Sequence, residues 1–319
     1  MRLLVTGGTG HVGSALLRRL STETAWQLRA AVRAATDTGT AAVTGCEYVV
    51  TGDLAAADLG GIAAGCQVVV HTAARVHVMG DLGSSALAEY RRVNVDGTLN
   101  LAREAVRCGV RRFIFISSIK VNGESSAPGT PFSETDGVDP QDPYSVSKWE
   151  AELALREFCA RAGMEYVVVR PPLVYGPGVR ANFLALAKAV NHGVPLPLGA
   201  VQNRRSLIGT DNLVSFLQRC IDHPAAGNQT FLVSDGNDLS TAELVRGIAA
   251  ALNRPARLLS VPCGLLRAAG AVAGRQLQVQ RLLENLQVDI GKARRQLSWT
   301  PPFTVQQGLQ HALRSLGDA

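Results

Sequence analysis

The chain has 319 residues, 46% of them apolar and 18% charged, with a formal net charge of +6. That is room for one large domain or two, with the composition of an ordinary soluble globular protein. No apolar run is long enough to cross a bilayer, and the scattered lysines and arginines argue against nucleic acid and fit an anionic small ligand.

The richest apolar stretch, Cys263 to Gly274, is short and contains Arg267. The six cysteines (46, 66, 108, 159, 220 and 263) show no C-x-x-C spacing and read as reduced, buried side chains of a cytoplasmic protein. A strand beginning at Arg2 leaves no signal peptide to expect, and no membrane partner.

Arg2 to Thr6 is a short apolar run, the pattern of a buried parallel strand. Thr6-Gly-Gly-Thr-Gly-His-Val-Gly13 follows, and then the helical spacing Ala15, Leu16, Leu17, Leu20. A glycine turn between strand and helix is a dinucleotide-binding turn. Gly7 permits the bend, Gly10 lets the backbone approach a pyrophosphate, Gly13 allows close packing, and the turn from Gly7 through Thr9, His11 and Val12 presents helix N–H groups to phosphate.

Leu28 to Val32 reads as a second strand ending at Arg33. Where an acid would take the ribose 2′-hydroxyl of NAD, an arginine suits the 2′-phosphate of NADP, or stacks on adenine as a solvated side chain. Tyr48 to Val50 is a third strand, followed by Gly52-Asp53-Leu54. Asp53 accepts from the adenine amino group, caps the next helix, or does both. Val68 to His71 is a fourth strand leading to Ala73 and Ala74, small enough to let backbone approach the cofactor.

Residues 82–108 read as mostly helical. Asn94 lies within them, locally unfavourable in a helix and so a candidate for a role near the active centre. Arg112 to Ser118 is a fifth strand whose end, at Ser117 and Ser118, falls where open α/β sheets hold ligands. Residues 124–142 read as a loop over the site. Asp142 then caps a helix, Pro143 fits its first turn, and Gly163 ends it after Ala162. Tyr144 and Lys148 sit one turn apart on that helix. An ammonium beside a phenol favours the phenolate and lowers its pKa toward general acid/base use. A Tyr and a Lys fall four apart by chance on many helices; Ser118 and the glycine turn single out this pair. Tyr166 to Arg170 is a sixth strand, ended by Pro171. Alternating strands and helices give an α/β fold, a doubly wound parallel sheet (Rossmann), with a smaller C-terminal α/β substrate domain.

With these residues in place the chain resembles an extended short-chain dehydrogenase/reductase of the UDP-glucose 4-epimerase branch. The resemblance rests on Thr6 to Gly13, Gly52-Asp53-Leu54, Val93-Asn94, Ser117-Ser118, Tyr144-x-x-x-Lys148 and Arg170 to Gly178. It implies that Tyr144 is the acid/base, that Lys148 holds the nicotinamide ribose, and that Ser118 orients the reacting oxygen, with Asn94 in support. Leu54, Ala73, Ala74, Ser117 and Pro171 complete the expected cofactor cleft. For the substrate it implies Asn182 and Arg205 on a nucleotide diphosphate, with Arg281 near its second phosphate. Arg204 reads as a solvated neighbour. It also implies a homodimer through the helices at 82–108 and 143–162. The expected division is an NAD(P)-binding domain over residues 1–175 and a nucleotide-sugar domain over 176–319, with some strands and helices returning to the first. No His/Cys cluster has metal-ligand spacing.

Ser118 is followed by Ile-Lys-Val, not by the Asp-Glu pair of related 4,6-dehydratases, so dehydration is not expected. Two reactions at C4 remain. Reduction of a UDP-4-keto-6-deoxy-N-acetylhexosamine in bacterial polysaccharide synthesis is preferred, because Arg33 leans toward NADP and because of the loops at 75–79 and 117–124. The alternative is a redox-neutral 4-epimerase holding NAD. A non-catalytic NADP sensor is the minor alternative, since such proteins lose the Tyr or the Lys, and reduction of a steroid or phenolic ketone is set aside by Asn182 and Arg205.

Overall fold

The computed structural model describes residues 1–23, 26–35, 42–76, 84–179 and 181–317. The first half alternates strands and helices: β1 (Arg2–Thr6), α1 (His11–Glu23), β2 (Gln27–Val32), β3 (Cys46–Val50), β4 (Val68–His71), α2 (Ser84–Arg91), α3 (Gly97–Arg107), β5 (Arg112–Ile116), α4 (Pro143–Ala162) and β6 (Glu165–Arg170). The second half adds β7 (Leu173–Tyr175), α5 (Ala181–Asn191), β8 (Leu207–Gly209), α6 (Thr210–Asp222), β9 (Gln229–Leu232), α7 (Thr241–Ala251), α8 (Cys263–Val272), α9 (Gln276–Leu283), α10 (Gly291–Leu297) and α11 (Val305–Gly317).

Seven strands form one parallel sheet in the order β3-β2-β1-β4-β5-β6-β9. Its strands are buried on both sides because successive side chains serve opposite layers. Leu3 and Val5, Val68 and Val70, and Val167 and Val169 face a core shared with Leu16, Leu17 and Leu20 of α1 and Leu213 and Leu217 of α6. Leu4, Val69, Phe113, Phe115 and Val168 face the other core, with Leu101 and Ala105 of α3 and Leu155 and Cys159 of α4. Chain order reverses between β1 and β4, which opens the crevice at their carboxyl ends.

The second half divides its contribution. Helix α6 and strand β9 return to the large sheet. A separate core gathers Tyr175, Phe183 and Val190 with Val245 and Ile248 of α7 and Leu309 and Leu313 of α11. The loop after β5 is tied to this half by backbone pairs: Phe132 N donates to Gln287 O (2.8 Å) and Asp289 N to Phe132 O (2.8 Å), while Ser206 N donates to Leu286 O (2.8 Å) on the other side of the same segment. Segment 285–289 is therefore held between that loop and the extended segment carrying Arg205.

Candidate active site

The glycine turn is held by contacts that a side chain would forbid. Gly7 adopts a φ of +67°, and a Cβ there would lie 2.8 Å from Ala73 N. Gly10 N donates to Gly7 O at 2.8 Å, and a Cβ on Gly13 would sit 2.2 Å from that same carbonyl. Helix α1 is thereby drawn against the turn, and the loop at Ala73 lies alongside, where Thr72 Oγ1 donates to Thr6 O at 2.7 Å. This backbone cradle with α1 behind it suits a pyrophosphate, so the residues present fit a dinucleotide. Thr9 and Val12 lie half-buried along the turn. The His11 side chain meets Thr210 Oγ1 through Nε2 at 2.7 Å. What His11 offers a phosphate is its backbone, and nothing in the sequence announced a partner so far along the chain.

At the end of β2 Arg33 is exposed, and its carbonyl accepts from Gly52 N at 3.2 Å. Asp53 caps the following turn, accepting from Ala55 N at 3.1 Å, and is ion-paired with Arg92. The hydrogen bond from Arg92, more than any other influence, holds its carboxyl below the usual range. Arg92 was not a sequence candidate. Leu54 packs beside the second core.

Helix α4 begins as the sequence expects. Asp142 accepts from Ser145 N at 2.7 Å, and Ser145 Oγ reciprocates to Asp142 N at 3.0 Å, closing a capping box. The helix ends at Gly163 with a φ of +70°. Tyr144 is half-buried, with Ser118 close enough to pull its pKa down. Lys148 is 1% exposed, with Nζ 3.9 Å from the centre of the Phe115 ring. Burial lowers the Lys148 pKa to about 7, against the charge of Glu152.

The expected lowering of the phenol by the ammonium is not found in this state. Burial, followed by the charge of Asp142, raises Tyr144 well above an ordinary phenol, while only Ser118 pulls it down. The physical reason is that Lys148 is itself desolvated, packed beside aromatic and imidazole rings, and is not among the charges that act on the phenol. One of those rings is His71, which bridges Thr6 Oγ1 (2.6 Å) and Thr98 Oγ1 (3.0 Å); burial lowers it to about 3, so it is neutral.

Asn94 occupies a wide π-helical turn, Arg92–Asp96, which explains an Asn in a helical run. Its Oδ1 accepts from Arg75 N at 2.8 Å, and its Nδ2 donates to Ser147 Oγ at 2.9 Å. It thus fastens the loop after β4 to helix α4. The Ser117 hydroxyl, expected at the cofactor, donates to Glu152 Oε1 at 2.5 Å. Glu152 is fully buried and gripped by Arg170 through two bonds of 2.9 and 2.6 Å, so Ser117 serves the framework. Pro171 is buried, and its carbonyl accepts from Ile119 N at 3.0 Å.

On the other side of Tyr144 lies a charged cluster. Arg281 forks onto Glu124 (3.2 and 3.2 Å) and approaches Asp142 at 3.7 Å. Lys120 Nζ meets Glu124 at 2.7 Å and Asp142 at 2.6 Å. Arg205 donates to Glu284 O at 2.9 Å; burial lowers it to about 10, and Glu124 and Arg281 are its charged neighbours. Arg205 and Arg281 therefore come together as expected, whereas Lys120 and Glu124 were legible only as part of the Ser117 to Glu124 stretch. Asn182 is exposed at the start of α5, and among the described residues no hydrogen bond or ion pair joins it to this cluster. Positions 77–79 of the quoted loop, and Arg180, lie outside the described residues.

Residues 3–234 match the model of the NAD dependent epimerase/dehydratase family. The chain is 45% identical over 314 residues to a UDP-glucose 4-epimerase of Vibrio cholerae, covering 98% of this chain and 94% of that one. It is 30% identical over 239 residues to an N-acetyl-alpha-D-glucosaminyl-diphospho-ditrans,octacis-undecaprenol 4-epimerase of Escherichia coli O157:H7, covering 70% of this chain and 71% of that one. Its fold is that of a UDP-glucuronic acid 4-epimerase of Bacillus cereus, with a TM-score of 0.80 at 20% identity over 99% of this chain and 100% of the other.

Proposed function

The chain belongs to the NAD-dependent epimerase/dehydratase family, and from that premise we propose that it inverts C4 of a UDP-sugar without net redox change. One observation carries the reading: the Tyr144 phenol, whose pKa the neighbouring Ser118 pulls down, stands between the buried Lys148 and a cluster holding Arg205 and Arg281. The relatives' substrates share a sugar on a diphosphate, and a pair of guanidiniums suits that group.

Tyr144 takes the proton of the C4 hydroxyl as the C4–H bond breaks, and gives it back when that bond reforms on the opposite face. Ser118 donates a hydrogen bond to the C4 oxygen as charge gathers there. Arg205 and Arg281 hold the diphosphate while the sugar presents either face. Gly7, Gly10 and Gly13 would hold the pyrophosphate of NAD, and Lys148 its ribose. NAD, when bound, supplies the hydride acceptor and a formal positive charge that opposes the burial of the Tyr144 phenolate.

Reduction of a 4-keto sugar by NADPH is a second reading, favoured by Arg33 and the absence of an acid at the end of β2. A homodimer through α4 accompanies either reading, since Leu153 there is 47% exposed. The test is to release and identify the nucleotide that co-purifies, then to supply UDP-glucose and UDP-N-acetylglucosamine. Retained NAD and conversion to the C4 epimer, with nicotinamide absorbance unchanged, is expected. Stoichiometric NADPH oxidation by a UDP-4-keto sugar would move the assignment to the reductase. Neither activity, with cofactor bound, would overturn both in favour of a sensor.

A further inference from the structure

Helix α8 reads Cys-Gly-Leu-Leu-Arg-Ala-Ala-Gly-Ala-Val, apolar on nearly every side. Such a helix is ordinarily buried all round. Here one face is covered: Gly270 packs so closely on Val279 of α9 that a Cβ would lie 2.5 Å from its Cγ2, and Leu266 is half-buried in the third core. At 100° per residue, Leu265, Ala268, Ala269 and Val272 form the opposite face, and all four are exposed. Leu265 is 62% exposed, Val272 92%, and Leu277 of α9 64%, with Leu259 just upstream at 55%. An exposed apolar face running the length of one helix marks an interaction site.

The charge around it narrows the occupant. From Leu244 to Leu283 the sequence contains six arginines (246, 254, 257, 267, 275 and 281) and no aspartate or glutamate. A second copy meeting this face through the same face would set arginines against arginines, because a two-fold contact pairs a patch with itself. An apolar face among arginines instead matches the interface of an anionic bilayer, where leucine and valine enter the acyl boundary and guanidiniums stay among the headgroups. The 10-residue α8 is too short to span a membrane, and among the described residues no helix is long and apolar enough to do so.

We propose that the α8–α9 hairpin is a peripheral docking surface for anionic membranes. The sequence alone pointed away from a membrane because it was read for spans; the exposed face emerges only once α8 is seen packed on α9 by one side. Helix α9 carries Arg281 into the charged cluster beside Tyr144, so docking brings the substrate side of the crevice to the bilayer surface. The inference does not depend on which sugar is turned over.

Flotation of the full-length protein with vesicles tests it. Binding to phosphatidylcholine vesicles containing about one third phosphatidylglycerol is expected to exceed binding to pure phosphatidylcholine at least about tenfold, and to fall with added salt. The double variant L265D/V272D is expected to lose that binding while retaining turnover of a soluble UDP-sugar. R267Q/R275Q is expected to weaken it with the apolar face intact. Equal binding to both vesicle types, no binding to either, or undiminished binding by L265D/V272D would overturn the proposal. So would a mass in solution that halves in L265D/V272D, since that outcome assigns the face to a second copy.

Discussion

The two sides of the crevice handle charge in opposite ways. On the sheet side Lys148 is buried beside Phe115 and a neutral His71, and its pKa falls to about 7. On the substrate side Lys120 and Arg281 are met by Glu124 and Asp142 at 2.6 to 3.7 Å. Burial pushes both of those carboxyls up, but Lys120, joined by Arg281 at Glu124 and by Ser145 at Asp142, outweighs it and holds them below their usual values. One side keeps a cation short of compensation, where a ligand can complete it. The other keeps its charges satisfied until a ligand competes for them. Tyr144 lies between, its phenolate disfavoured by burial and the charge of Asp142 and favoured by Ser118.

If the chemistry belongs to this junction, Tyr144→Phe is the most damaging change. Turnover is expected to fall about 10²- to 10⁴-fold, the range for loss of a positioned acid/base, with cofactor affinity retained in a fluorescence titration. Near-normal turnover would remove Tyr144 from the mechanism. Close behind comes the framework under Lys148. Arg170→Ala leaves buried Glu152 with Ser117 at 2.5 Å and Arg156 at 2.9 Å, and is expected to cost about 3 kcal/mol in urea unfolding, the low end for breaking a buried ion pair. A cost near zero would mean that Glu152 is solvated and that the sheet side is less dry than its burial implies.

The sheet side was largely legible in the sequence because local geometry writes it. A glycine turn must join strand to helix, Asp142-Pro143 must start a helix, and a spacing of four puts Tyr144 and Lys148 on one face. The substrate side is assembled from Lys120, Glu124, Asp142, Arg205 and Arg281, which only the tertiary fold brings together. Family resemblance supplied Arg205 and Arg281, but no local rule pairs Glu124 with Arg281 across 157 positions. What the sequence left out has the same origin. The side chains of Ser117 and His11 answer to Glu152 and Thr210, partners that no local rule announces. The phenol was expected to be acidic because spacing reveals proximity and says nothing of desolvation.

That desolvation has its own signature in the pH dependence of stability. Lys148 goes from an ordinary 10.5 when unfolded to about 7 when folded. Between those values the unfolded chain binds more protons, so this group's contribution to stability rises with pH; its cost is fully present below the folded value. A gain on the order of 2 kcal/mol is expected from about pH 7 to pH 9 in the cofactor-free protein, and Lys148→Met should flatten it. Glu124 and Asp142 act in the opposite window. Their folded values lie below the usual 4.5 and 3.8, so their contribution is present above those values and is lost as the pH falls through the lowered ones. Identical profiles for wild type and Lys148→Met would show that Lys148 is hydrated.

The smallest effects discriminate best between the two sides. If Arg281 leaves Glu124 to hold a diphosphate, Arg281→Ala should raise KM for the UDP-sugar about tenfold at nearly constant kcat, because the contact is made equally in ground and transition states. Glu124→Gln should act in the other direction. It removes a competing carboxylate from a partly exposed pair worth at most about 1 kcal/mol, so KM should fall roughly two- to threefold. A purely structural pair would behave differently: either substitution would loosen the loop after β5, and both variants would lose kcat together. Opposite movements of KM from the two ends of one ion pair are therefore the mark of a cluster that holds its charges for the substrate.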